Sequence, residues 1–160
     1  MKKLNCVKWA AWPSGNIIVT VRGIGTMIAY YLKLYLATLV TFLALDMLWL
    51  GLLARRFYAK YVGFLLSTKP VWSAAILFYL LFVAGVLVFV VLPGVNAGSA
   101  KKVLILGAFF GLITYGTYDL TNLALVKQWP LVVTVVDLCW GTILAAIVSY
   151  SGFLVAKFLG

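Results

Sequence analysis

The 160-residue chain contains no histidine and no glutamate, and its acidic residues number only three, Asp46, Asp119 and Asp137. Without histidine, His-ligated haem, His-containing zinc sites and Ser-His-Asp catalysis are excluded. The two cysteines, Cys6 and Cys139, form neither a CxxC pair nor a disulfide framework, and leave the redox compartment open. No P-loop, dinucleotide fingerprint or HExxH motif is present. No lysine stands in the middle of an apolar run, which sets aside a retinal-type Schiff base.

What the chain has in abundance is apolar surface. Hydrophobic residues make up 66% and charged residues 10%, with a mean hydropathy of +1.14, far from the roughly half and roughly a quarter of globular domains. The composition is that of an integral membrane protein of all-α class, one helical bundle in one domain. Thirteen lysines and arginines against three aspartates give a net charge of +10, a balance that in a soluble protein would point to nucleic acid. Here most of the cations flank the apolar runs, where they meet anionic lipid head groups and set topology. The expected partner is therefore the lipid bilayer and not nucleic acid.

Four windows have the ~20 apolar residues that a ~30 Å hydrocarbon core requires: 30–53, 71–92, 102–126 and 131–154. Arg55-Arg56 closes the first, Pro70 opens the second, Pro93-Gly94 ends it, and Lys101-Lys102 precedes the third. The connector 127–130 is so short that the third and fourth spans must be antiparallel neighbours. Residues 1–28 read as a disordered or interfacial extension. Trp12-Pro13-Ser14-Gly15 interrupts any signal-peptide core, and Met27 offers an alternative start. An even number of spans places both termini on one face. Positive charge near the span ends is tied between that terminal face and the opposite loop face, so orientation is undetermined. The expected location is a bacterial inner (plasma) membrane.

All three carboxylates fall inside these spans. An ionised side chain at the bilayer centre costs roughly 2.5–3.5 kcal/mol on insertion scales, which makes each a functional candidate. Asp46 and Asp119 lie seven residues before the loop-face ends of the first and third spans, and Asp137 lies six residues into the fourth. At 1.5 Å per residue all three sit ~10 Å below the same surface. Helical phase places Tyr115, Tyr118, Asp119 and Asn122 on one arc of the third span, with Gly107 and Gly111 along its edge. On the fourth span Thr134, Asp137, Gly141, Ala145, Ser149 and Gly152 form a stripe of small residues, suited to close helix packing. Tyr31, Tyr35, Thr38, Phe42, Asp46, Trp49 and Leu53 form the matching seam on the first. The second span adds only Trp72, Tyr79 and small residues.

The expected site is an acidic, aromatic-rimmed pocket open towards the loop face and built from Asp46, Trp49, Tyr115, Tyr118, Asp119, Asn122 and Asp137. Three adjacent carboxylates in low dielectric cannot all be ionised without compensation. No cofactor motif is evident, and three remedies exist: shared protons, a hard cation such as Mg or Ca held by Asp46, Asp119, Asp137 and Asn122, or Arg55 and Arg56 reaching back as a rim. The alternative is structural, since a protonated buried aspartate can simply hydrogen-bond across helices, where such bonds average only ~0.6 kcal/mol.

The segments Asp46-Met-Leu-Trp-Leu-Gly51, Thr117-Tyr-Asp-Leu-Thr-Asn-Leu-Ala124 and Trp129-Pro130 followed by Asp137-Leu-Cys-Trp-Gly141 carry a resemblance. Over approximately residues 28–155 the chain resembles the uncharacterised bacterial predicted-membrane-protein family called domain of unknown function 2177. The resemblance implies four membrane helices and transfers no activity. Three functions are therefore expected in order: binding or transport of a small solute or cation coupled to protonation or ion occupancy; an integral membrane enzyme acting on a lipid head group; and a structural or regulatory membrane subunit. Four spans are few for an alternating-access carrier, so transport implies a homodimer.

Overall fold

The computed structural model of the chain describes residues 17–67 and 69–160. Its elements are helices: α1 (Ile17–Leu48), which runs into a π-helical turn at Trp49–Leu53; α2 (Arg55–Val62); α3 (Trp72–Val86), continued by a second π-turn at Leu87–Val91 into α4 (Leu92–Asn96); α5 (Ala100–Leu125); and α6 (Leu131–Leu159). Four helical stretches, Ile24–Leu53, Trp72–Asn96, Ala100–Leu125 and Leu131–Leu159, are long and apolar enough to cross a membrane. At 25 to 30 residues each they measure ~37–45 Å, more than the ~30 Å core requires. Their outward faces carry exposed apolar side chains such as Val40, Leu81, Ile105 and Ile143, as lipid contact demands.

Two boundaries differ from the expectation. The first helix begins at Ile17 and not near residue 30, so 17–28 are helical; the part of the expected extension at 1–16 lies outside the described residues. Pro93-Gly94 does not end the second span, because the helix continues to Asn96. The reason lies in the π-turn just before it. Proline has no N–H and crowds the carbonyl four residues back, and the Leu92 N–H bonds the Leu87 carbonyl five residues back. The hydrogen-bond register is thus already shifted where the proline enters, at the first turn of α4. The break comes five residues after Pro93, where Gly98 takes φ 61° and Ser99 caps α5 by accepting the Lys102 N–H at 3.2 Å.

The most extensive helix contact joins α5 to α6, as the short connector requires. Glycines allow it. A Cβ on Gly111 would stand 2.1 Å from the Gly141 carbonyl oxygen, and one on Gly107 would stand 2.8 Å from Ser149 Oγ. The backbones are therefore as close as side-chain-free surfaces permit, the arrangement small residues give membrane helices. The whole small-residue stripe of α6, from Thr134 to Gly152, is buried. α1 packs on α6 and α3 on α1, around a core of Leu34, Phe42, Phe82, Val83, Val86, Leu144 and Val148. On α1 the centre of the expected seam is buried, at Thr38, Phe42 and Asp46, while its ends, Tyr31 and Leu53, are exposed; Leu34 takes the place of Tyr31 because the stripe advances strictly by four residues.

Substitution separates the two kinds of glycine. Gly111→Ala forces a methyl into the Gly141 backbone and is expected to lower stability by ~2–3 kcal/mol. Gly51→Ala, where an added Cβ meets nothing within 4 Å, is expected to be neutral or slightly stabilising. Thermal melts of the two variants in the same detergent check the contrast; equal melting temperatures would contradict the close α5–α6 approach.

Candidate functional site

The three aspartates come from three helices and are all buried, with relative exposures of 6% for Asp46, 0% for Asp119 and 8% for Asp137. They line one cavity of about 440 Å³ at the loop-face end of the bundle. The shared depth expected from the span directions thus becomes a shared space.

Antiparallel pairing of α5 and α6 accounts for half of the arrangement. Along α5, Gly107, Gly111, Tyr115 and Asp119 recur every four residues; along α6, so do Ser149, Ala145, Gly141 and Asp137. Gly107 abuts Ser149, Gly111 abuts Ala145, and the Tyr115 ring occupies the space a side chain at Gly141 would fill. The next step in the same register sets Asp119 against Asp137, whose carboxyl groups face each other. Among the described residues no backbone, hydroxyl, amide or ring N–H group donates to either oxygen of Asp119, which leaves the Asp137 carboxyl as its hydrogen-bonding neighbour.

Aromatic residues supply the remaining wall. Tyr79 of α3 donates its hydroxyl to Asp46 Oδ2 at 2.6 Å. Tyr58 of α2 donates to Asp137 Oδ1 and accepts from Trp49 Nε1 at 3.3 Å. Trp49 in turn stacks flat on Trp140, with ring centroids 4.3 Å apart and 9° between planes. Trp140 Nε1 lies near the Asp46 carboxylate without reaching a hydrogen-bonding geometry. Phe78, Phe82, Tyr115 and Tyr118 complete the aromatic lining. Leu50, Phe78 and Tyr118 are 40%, 47% and 60% exposed, so the cavity wall reaches the outer surface of the bundle.

The chain does turn back over the bundle after α1, but it delivers a phenol and not a guanidinium. The π-turn, closed by the Ala54 N–H on the Trp49 carbonyl at 2.8 Å, redirects the backbone into α2. That helix is amphipathic: Tyr58, Tyr61 and Val62 face inward at steps of three and four, below the buried Ala54 that precedes it, while Arg55, Arg56 and Lys60 are exposed. Arg55 and Arg56 therefore do not form the expected rim, and neither lines the cavity. Burial, reinforced by the hydrogen bond to Asp137, pushes the Tyr58 phenol above its ordinary range, so it remains a neutral donor.

The expected four-oxygen cation set is not assembled. Among the described residues no group of three acidic, histidine or cysteine side chains is placed to hold a metal ion. Asp46 lies on the Tyr79 side of the cavity and the Asp119–Asp137 pair on the Tyr58 side. Asn122 is outside the lining; it sits nearly one turn beyond Asp119, beside Tyr118, its Nδ2 buried without a partner. Asp46, Trp49, Tyr115, Tyr118, Asp119 and Asp137 are brought together as expected. Tyr58, Tyr79, Phe78, Phe82, Thr114, Leu50 and Trp140 were not anticipated as lining residues. Depth arithmetic would have found Tyr79: at eight residues into its span it lies ~12 Å below the loop face, level with the carboxylates. Trp140 follows Asp137 by three residues on the same helix face.

The family model described as "Predicted membrane protein (DUF2177)" matches residues 31–154, and the chain belongs to that family. No curated protein and no solved structure matches it.

Tyr58 is the only contact described between α2 and the acidic cluster. Tyr58→Phe keeps the ring and removes the bond, and is expected to cost ~1–2 kcal/mol. Amide hydrogen exchange should rise over residues 55–62 and stay unchanged in α5 and α6. Unchanged exchange in α2 would show that the bond does not hold the helix down.

Proposed function

We propose that this member of the DUF2177 family binds a small, positively charged or proton-coupled solute in the intramembrane cavity and carries it between the loop face and the membrane. The observation that supports this most directly is Asp119: a fully buried carboxyl group that faces a second one, Asp137, and receives no tyrosine, tryptophan or amide donor among the described residues, lining a cavity that contains no lysine or arginine. A structural aspartate would be satisfied by hydrogen bonds from its neighbours, as Asp46 and Asp137 are by Tyr79 and Tyr58. Two carboxyl groups set face to face at this depth store destabilisation that a cationic ligand relieves on arrival. The size also fits, since ~300–1,000 Å³ is the range of small-molecule pockets.

The chemistry is that of binding and charge compensation. Tyr58 and Tyr79 each occupy one carboxylate oxygen and hold Asp137 and Asp46 in place. Asp119 supplies the charge that meets the solute. A complete carrier pathway through four spans would use two copies of the chain, with the cavities alternating in access.

Asp119→Asn removes one acid of the facing pair and keeps the shape. Its melting temperature is expected to equal or exceed that of the unmodified protein, while the dependence of melting on pH and on added Na, K, Mg or Ca ions disappears. In proteoliposomes with a trapped pH-sensitive dye, the unmodified protein should dissipate an imposed pH gradient faster than the Asp119→Asn variant. Identical melting behaviour and flux for the two proteins would overturn the reading, and new lipid species in the mass spectrum of the reconstituted membrane would replace it with a head-group enzyme.

A further inference from the structure

We propose that the ligand is an organic ammonium group, fully alkylated or nearly so, held by aromatic faces with Asp119 as its counter-charge. This names the ligand class of the site described above and rests on that reading. Eight of the thirteen residues that line the cavity are aromatic and three are acidic. That pairing is specific. Aromatic faces attract cations through their quadrupoles, and cages of tryptophan and tyrosine around a quaternary ammonium are the recurrent use of this attraction.

The alternatives fit the cavity less well. A bare hard cation takes six to eight oxygens at ~2.3–2.6 Å. The carboxylates are instead divided between two walls, with no group of three among the described residues placed for a metal, around a cavity of about 440 Å³, far larger than a single coordinated ion. A neutral apolar solute would fill the space but leave the charge of the acidic cluster uncompensated, with the penalty that a buried charge carries. A primary ammonium would direct its three N–H donors at carboxylate oxygens and leave unused the aromatic faces that form most of the lining. An alkylated ammonium has no such demand. Its positive charge is spread over methyl groups that pack on Trp49, Tyr115 and Trp140, and it offsets the one negative charge that the Asp119–Asp137 pair keeps when its two carboxyl groups share a proton.

The same head could arrive free in water or as the end of a choline-bearing lipid. Entry from the bilayer has a lateral opening in the lining, at the exposed residues Leu50, Phe78 and Tyr118, and the experiment below separates the two sources.

The full chain, purified in a maltoside detergent, is titrated with choline, tetramethylammonium, the neutral carbon isostere 3,3-dimethylbutan-1-ol, Mg and Ca, and dihexanoylphosphatidylcholine, with melting temperature as the readout. Choline and tetramethylammonium should raise it saturably and the isostere should not. Asp119→Asn and Trp140→Leu should each weaken the ammonium by about tenfold or more, and Trp140→Phe should restore most of the loss. Where Asp119→Asn fails to fold, the Trp140→Leu and Trp140→Phe pair decides alone. Tighter binding of the phosphatidylcholine than of choline places the source in the bilayer, and the reverse places it in solution; each supports the ammonium site. An isostere as effective as choline overturns it. An Asp119-dependent response to Mg or Ca with none to either ammonium also overturns it, and leaves the acidic binding site intact. No Asp119-dependent response to pH or to any probe removes both.

Discussion

The close approach of α5 and α6 is the contact on which the rest of the molecule depends. Two helices in lipid gain nothing from hiding apolar surface from each other, since the lipid is equally apolar; they associate through packing at short range. Here that range is set by Gly107, Gly111 and Gly141, whose missing side chains let backbone meet backbone. Once Gly111 is seated against Ala145 and Gly141, antiparallel geometry leaves one register, and four-residue steps carry it to Asp119 and Asp137. The acidic pair is thus a consequence of where the glycines stop.

Low dielectric explains what surrounds that pair. A carboxylate at this depth is tolerated if something donates to it. Asp46 and Asp137 each receive one phenol, from α3 and from α2. α2 itself is short and amphipathic, and would be marginal as an isolated helix. It is held by the turn that precedes it and by its buried face, with Tyr58 as the tether. Its cations point outward because a guanidinium keeps its hydration more cheaply at the surface than in an aromatic cavity. The two π-turns serve the same end. One bends the chain back so that Tyr58 can arrive, and the other lets α3 pass Pro93 and remain a full span.

Much of this was legible in the residues. The number of spans, the antiparallel α5–α6 pair, the common depth of the carboxylates and the small-residue stripe of α6 all follow from run length, connector length and period, which are local properties. The misjudged features share a different character. Arg55 and Arg56 were assigned by their distance from Asp46 along a helix, whereas the phase of Tyr58, Tyr61 and Val62 within an eight-residue helix determines which group turns inward. Pro93 was read as a stop because the π-turn that absorbs it has no residue signature of its own. Asn122 shares an arc with Asp119 but sits most of a turn further on, past the end of the cavity.

Sequence alone determined that this chain lives in a membrane, crosses it four times and brings its only three acids to one level, because hydrophobic length and helical rise are fixed by composition and covalent geometry. Which groups meet those acids was decided by tertiary structure. What each carboxylate meets depends on contacts between helices far apart in the chain, Tyr79 with Asp46 and Tyr58 with Asp137, and on Asp119 facing the Asp137 carboxyl with no phenol of its own among the described residues. Those contacts are set by inter-helix packing and by a π-turn, and neither is written in the period of any one segment.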